Sequence, residues 1–276
     1  MGWGPPYYRL CQYRLGQGLA RAAVAGLRRC GFLRRFHMPV DALTLEGDAV
    51  SGLMRLWSRI HWSSGDGMMP PEQLLAVYRL AVEWPGRGDV VELGSWVGLT
   101  TSYLATACRV RGEGRVHAVD TFEGTKEGGG RYRSVEKYGG STLQTFADNL
   151  DRAGVGDLVE TFVGYTAEVV QRYCGRPVRM LLIDADHSYA AVRTDFELWS
   201  PLVMPGGLIV FHDYLIDDVA RFVDTEVAAD ARFEMAPGQV VPNVMAVTKR
   251  PEVGTRSGPR SAPCRAGRVE PEAAAV

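Results

Sequence analysis

Val90-Val91-Glu92-Leu93-Gly94-Ser95-Trp96-Val97-Gly98-Leu99-Thr100-Thr101 is the stretch on which the fold turns. Val90 to Leu93 is a short apolar run of strand type, and a helical pattern begins after Gly98. Gly94 between them lets the backbone turn tightly and approach a ligand, while the start of the helix offers unpaired N–H groups to a carboxylate or phosphate. A dinucleotide fingerprint requires a bare second glycine where the backbone meets pyrophosphate, and Trp96 stands there instead. A phosphate-binding P-loop is excluded because Gly-Lys-Ser and Gly-Lys-Thr are absent from the chain. What remains is a small ligand with an anionic end for the helix and an adenosyl part. Asp120 ends the next strand pattern, where an ionised carboxylate can accept ribose hydroxyls.

Outward from this turn, strand and helix patterns alternate. Leu74 to Val82 follow helical spacing behind Pro71, which suits a first helical turn. Helices are expected at about 100–109, 141–153, 167–173, 189–199 and 217–229. Strands are expected at 90–93, 116–120, 158–163, 178–184 and 207–212, with an antiparallel edge from 233–235 and 243–248. Such alternation predicts an α/β fold, a Rossmann-like, doubly wound, mostly parallel seven-stranded sheet with an N-terminal helical extension. In such sheets ligands bind at the carboxyl ends of the strands, at the switch in strand order.

The acceptor end follows from that rule. Asp184 ends the fourth strand, and His212 and Asp213 end the fifth, 28 and 29 residues later. Neighbouring parallel strands lie about 4.8 Å apart, so these side chains can converge on one ion. Two carboxylates suit an oxygen-preferring cation such as Mg2+, which lowers the pKa of a bound hydroxyl. His187 would then remove the proton. Imidazole is a poorer magnesium ligand and favours a softer metal, unless His212 merely caps the sheet. Asp186 or Ser188 is expected to cap the helix beginning near Tyr189.

The pieces VVELGSWVGLTT, VHAVDTFEGT, LLIDADHSY and PGGLIVFHDY resemble class I S-adenosylmethionine-dependent methyltransferases over residues 70–249. The resemblance implies that Gly94 and Ser95 face the methionine part of S-adenosylmethionine, Thr100 its carboxylate and Asp120 the ribose. Glu92 would position the amino group, and Gly164 with Thr166 would border the adenine. The spacing of Asp184 from the pair His212-Asp213 resembles metal-dependent small-molecule O-methyltransferases acting on catechols, sugars and macrolide sugars. It implies a divalent cation, Mg2+ by analogy, held by Asp184, His212 and Asp213, with His187 and Asp184 as catalytic residues. His212 departs from that family, which places an acid there. The implied activity is methyl transfer to a hydroxyl of a small-molecule acceptor, a sugar or glycosylated natural product ahead of a catechol. A metal-free or N-methylating enzyme is the alternative, and a non-catalytic adenosyl-binding module with a basic assembly arm stands as the second class.

Composition agrees with a soluble globular protein: 46% of the 276 residues are apolar and 23% charged. No apolar run approaches the roughly 18 residues of a membrane span. The net charge of −1 hides an uneven distribution. Residues 1–40 hold seven Arg and no acid, residues 41–249 carry −10, and residues 250–276 carry +2. The acidic middle argues against nucleic acid as a partner. Five cysteines, odd in number and never in a C-x-x-C pair, fit a reducing cytoplasm without a zinc knuckle or disulfide frame.

Three zones follow. Residues 1–69 form a basic helical cap, 70–249 the catalytic domain, and 250–276 a tail too poor in large apolar residues to order. Within residues 8–36, Arg14, Arg21, Arg28 and Arg35 recur on one helical face. That pattern suits a helix capping the acidic core or joining a homo-oligomer, ahead of weak membrane-surface contact. The glycine-rich segment Thr121 to Gly140, with Lys126, Arg131, Tyr132, Arg133, Lys137 and Tyr138, reads as a substrate lid or a solvated insertion.

Overall fold

The protein is described here from a computed structural model that covers residues 69–124, 132–235 and 241–251. The chain divides into two units, Met1–Glu46 and Gly47–Val276, and every described residue belongs to the second. The basic segment 8–36 lies outside the described residues, as do 125–131 of the expected lid and the tail beyond 251.

The order of elements is α1 (Pro71–Glu83), β1 (Asp89–Leu93), α2 (Leu99–Arg111), β2 (Val116–Asp120), α3 (Leu143–Ala153) and β3 (Val159–Val163). It continues with α4 (Thr166–Val169), β4 (Val178–Ile183), α5 (Tyr189–Trp199), β5 (Val203–His212), α6 (Asp217–Phe222), β6 (Phe233–Met235) and β7 (Val244–Lys249). The seven strands lie in the order β3-β2-β1-β4-β5-β7-β6. All neighbours from β3 to β5 are parallel, and β7 runs antiparallel to both β5 and β6. The doubly wound, seven-stranded expectation is what the backbone shows.

Burial explains the layers. β1 and β4 are buried at every residue, as befits central parallel strands covered on both faces. Val91, Leu93, Leu181, Ile183, Ile209 and Phe211 form one apolar cluster with Phe196 and Trp199 of α5 and Val219 and Phe222 of α6. The alternate residues Val90, Met180, Leu182, Leu208 and Val210 are equally buried on the opposite face. β3 is a half-exposed edge strand.

Departures from the sequence reading are local. β5 begins at Val203 rather than Gly207, with a register irregularity opposite Val178 to Met180 that lets Pro205 and two glycines remain in the strand. The helix expected over 167–173 breaks into α4 and a 3-10 turn, Val170–Arg172. The one expected over 217–229 passes from α6 into a π-helical turn, Val223–Val227. Within the expected lid, Tyr132–Tyr138 is a 3-10 helix in which Val135 is buried while Glu136 and Lys137 are exposed. Cys108 is a buried free thiol, whereas Cys174 is disulfide-bonded, which departs from the expected absence of a disulfide frame.

Candidate active site at the carboxyl ends of the strands

Strand order reverses between β1 and β4, and the site is built there. Gly94 leaves β1 at φ +89°, and a Cβ built on it would sit 2.1 Å from the carbonyl oxygen of Asp184, so no larger residue fits. Gly98, at φ +82°, lies against Phe146, where a Cβ would come within 2.9 Å of the ring. Trp96 between them is also left-handed at φ +50°. This contorted turn aims the Ser95 and Trp96 amides at one oxygen, Oδ2 of Asp120, each at 2.7 Å, while Oδ1 accepts from the Phe122 amide at 2.7 Å. Three of about four acceptor positions are thus occupied, leaving capacity for one ribose hydroxyl rather than two.

Glu92 is fully buried beneath the turn. Its Oε2 accepts from Ser95 Oγ at 2.9 Å and from Thr101 Oγ1, and its Oε1 has no hydrogen-bond partner among the described residues. Burial pushes its carboxyl up to about 8, against the two hydroxyl donors that favour the charged form. The Ser95 hydroxyl therefore points inward, to Glu92. Thr100 lies in the first turn of α2, whose N-cap Gly98 supplies no side-chain cap, so the helix start remains open to an anion. Among the described residues its hydroxyl meets only the Met69 sulfur, at 3.9 Å. The amide of Gly164 donates to the Asp120 carbonyl at 2.9 Å, which brings the β3 turn to the same rim. The Thr166 hydroxyl donates to Asp195, so toward a ligand it can act only as an acceptor.

On the other side of the switch point, His212 Nδ1 lies 2.9 Å from Asp184 Oδ1 and 3.3 Å from Asp213 Oδ2. His187 Nε2 lies 3.0 Å from Asp213 Oδ2 and 3.7 Å from Asp184 Oδ1, an ion pair without aligned hydrogen-bond geometry. Burial opposes charge on both imidazoles, but the two carboxylates outweigh it and push each up to about 10. The carboxyls of Asp184 and Asp213, though also opposed by burial, are held below their ordinary range by the same imidazoles. Two anions facing two cations sum to zero. Asp213 is held at φ +53°, a strained conformation for a non-glycine residue, and its Oδ1 accepts from Asn243 Nδ2 at 2.8 Å. The expected cap is Ser188, which accepts from the Ala191 amide, while Asp186 accepts from the Ser188 amide.

Asp184, His212 and Asp213 offer ligand atoms within 4.8 Å of one another, a donor set able to hold a divalent cation. Two carboxylate oxygens and one imidazole nitrogen suit Mn2+, Fe2+ or Zn2+ better than Mg2+. The donor half fits its group as well: the orphaned Glu92 Oε1 lies buried beneath the bare Gly94 turn, next to the open start of α2.

Residues 91–214 match the family model described as a methyltransferase domain. This segment, just under half of the chain, is similar to a methyltransferase domain. The site residues from Glu92 to Asp213 all fall inside it. A curated relative from Streptomyces olivaceus, 8-demethyl-8-(2,3-dimethoxy-alpha-L-rhamnosyl)-tetracenomycin-C 4'-O-methyltransferase, is 27% identical over 142 residues, covering 47% of this chain and 54% of its own. The chain thus spans about half the length of that relative. The chain also shares its fold with the O-methyltransferase NovP, at a TM-score of 0.54 and 17% identity over 67% of this chain and 82% of that one. The O-methyltransferase TomG from Streptomyces achromogenes, solved in complex with SAM, gives a TM-score of 0.53 and 20% identity over 72% and 90% of the two chains.

Two side chains of the candidate site escaped the sequence reading, Gln73 and Asn243, and both lie outside the matched segment. Gln73 Oε1 is 2.8 Å from His212 Nε2. On sequence alone Gln73 is one polar residue in an amphipathic helix, and Asn243 one residue at a strand start. Neither carries a local signal of its partner. Tyr138 of the 3-10 helix packs edge-on against Trp96, with ring centroids 6.1 Å apart, so this part of the lid segment rests on the donor turn.

Proposed function

We propose that the domain transfers the methyl group of S-adenosylmethionine to a hydroxyl of a small polar acceptor, a sugar or a glycosylated natural product, with a divalent cation at Asp184, His212 and Asp213. The observation that carries this reading is the abutment of two half-sites. The glycine turn that suits an adenosyl amino acid lies directly against the backbone of Asp184, the first carboxylate of the charged cluster. The rhamnosyl 4'-O-methyltransferase name of the Streptomyces olivaceus relative supports a sugar hydroxyl as acceptor.

In this reading Glu92 and the Gly94-Ser95 backbone hold the amino end of the donor, Thr100 and the start of α2 its carboxylate, Asp120 one ribose hydroxyl, and the backbone of Gly164 and Thr166 the adenine edge. When bound, the donor supplies an electrophilic methyl carbon and the cation lowers the pKa of the acceptor hydroxyl. The protein aligns oxygen, carbon and sulfur and accepts one proton. His187 already carries a proton in this arrangement. It becomes an acceptor only once the charge of Asp184 and Asp213 is neutralised by another cation. The zero sum of the four-residue cluster favours one second reading, a metal-free variant, in which His212 itself stands where the cation would.

Calorimetric titration with S-adenosylhomocysteine and, separately, NAD tests the ligand: the first should bind and the second should not, and NAD binding alone overturns the reading. Incubation with donor and glycosylated acceptors, read by mass for one added CH2, tests the activity. Loss of product with chelator and with Asp184→Ala supports the cation, and indifference to both supports the metal-free variant. S-adenosylhomocysteine binding with no methylated product from any acceptor pool would instead favour a non-catalytic module.

A further inference from the structure

We infer that Gln73 is a positioning residue that turns the Nδ1 lone pair of His212 toward Asp184 and Asp213, so that this site takes a borderline ion such as Mn2+ or Zn2+ in preference to Mg2+. The inference rests on the cation reading above and adds to it the residue that sets the ion's class.

A backbone carbonyl can only accept, and this fixes a chain of assignments. Gln73 reaches the Pro242 carbonyl oxygen at 3.1 Å, so the amide atom there must be Nε2. Its Oε1 then faces His212 Nε2 at 2.8 Å and takes the N–H of that ring nitrogen. In the neutral imidazole the lone pair therefore sits on Nδ1, which meets only carboxylate oxygens, Asp184 Oδ1 at 2.9 Å and Asp213 Oδ2 at 3.3 Å. A lone pair facing two anions is repulsive, and a positive species at that point relieves it: the Nδ1 proton of the imidazolium, or a cation that takes that proton's place. A ring N–H held by a carbonyl oxygen is the support that metal-bound histidines commonly have.

The support is rigid. Gln73 is 5% exposed, on a helix anchored by the fully buried Leu74, Val77 and Ala81. Pro242 and Asn243 immediately precede β7, whose Val244 pairs with His212 in the sheet. One turn thus holds His212 through Gln73 and Asp213 through Asn243, and it leaves Asp213 Oδ2 directed at the shared point. Mg2+ gains little from an imidazole nitrogen, whereas Mn2+ and Zn2+ gain from it.

The test compares calorimetric titrations with MnCl2 and MgCl2 on the full chain, its Gln73→Met variant, which keeps volume but removes the acceptor, Gln73→Glu, which keeps the acceptor, and His212→Asp. The unmodified chain should bind Mn2+ more tightly than Mg2+ by about tenfold or more. Gln73→Met should weaken Mn2+ by about 10 to 100-fold with a much smaller change for Mg2+. Gln73→Glu should restore Mn2+ binding, and His212→Asp should reverse the preference. General loosening at a buried position would lower both affinities together, so the ratio is the readout. If Gln73→Met does not fold, 15N correlation spectra of the unmodified chain with Zn2+ decide: Nε2 protonated and Nδ1 metal-bound is expected, and the opposite tautomer overturns the inference. A ratio near one, or one unmoved by Gln73→Met, also overturns it. S-adenosylhomocysteine is titrated into the same samples: failure to bind brings down the methyl-transfer reading, whereas binding with an unmoved ratio brings down this inference alone.

Discussion

Two cross-strand histidine–aspartate pairs lie at opposite ends of the sheet. Asp89 and His117 are 28 residues apart and meet at 2.9 Å, and Asp184 and His212 share the same separation and the same distance. Asp89 opens β1 and His117 lies second in β2, so the lower pair sits where the strands begin. Its carboxylate also accepts from the Arg115 amide at 3.1 Å and lies 3.5 Å from Arg176, and the His117 ring packs against Phe162 and Tyr173. The upper pair sits where the strands end, with a second carboxylate and a second imidazole crowded onto it. The lower pair closes a sheet end, while the upper one concentrates charge beside the glycine turn. Sequence spacing is identical in the two, and direction along the strand separates architecture from chemistry, because parallel strands open their loops at the carboxyl end.

Substitution at the upper pair should have the largest effect. Asp184→Ala is expected to lower kcat/KM for methyl transfer by about 1,000-fold, with S-adenosylhomocysteine binding by calorimetry retained. A variant with unchanged rate would break the comparison. Asp89→Ala should do the reverse. Urea unfolding should show a loss of about 3 kcal/mol, since it leaves a buried imidazole without its partner, while the folded fraction keeps kcat/KM within about twofold. Abolished turnover in folded Asp89→Ala protein would erase the distinction.

The pH dependence of stability should divide along the same line. His187 and His212 have raised folded values, so their contribution is complete below about pH 6.5 and is lost as pH rises toward about 10. Glu92, raised to about 8, loses stability in the same direction. Asp89, Asp184 and Asp213 have lowered folded values, so their contribution is present above about pH 4 and is lost as the solution becomes more acidic. Urea titrations from pH 3 to 10 on His212→Gln should flatten the alkaline limb by about 1 to 2 kcal/mol, and Asp89→Asn should make the acid limb shallower without touching the alkaline one. An alkaline limb identical in His212→Gln would assign it elsewhere. The smallest effect is expected at Glu160, half-exposed and 3.4 Å from His117. Glu160→Gln should change stability by less than about 0.5 kcal/mol by thermal unfolding, and a larger shift would make the lower cluster more like the upper one than its exposure suggests.

Much of this was legible before any coordinates. The Gly94 turn, the end of β2 at Asp120 and the convergence of Asp184, His187, His212 and Asp213 on one rim all followed from the alternation and from which residues end the strands. The hydrogen-bond assignments did not. Ser95 and Thr166 turn their hydroxyls inward to Glu92 and Asp195, and Asp120 spends most of its acceptor capacity on backbone amides. His187 is recognisable from sequence as a titratable neighbour, but the two carboxylates that hold its proton become apparent only once β4 and β5 lie side by side.

The chain by itself determined the alternation of strands and helices and the residue types at strand ends, because hydrophobic period, glycine and charge act over a few residues and can be read locally. Tertiary structure alone decided which polar atoms meet. Gln73 lies 139 residues from His212, and Asn243 lies 30 from Asp213. A hydrogen bond is set by position in space to within tenths of an ångström, and no pattern along the chain encodes that distance.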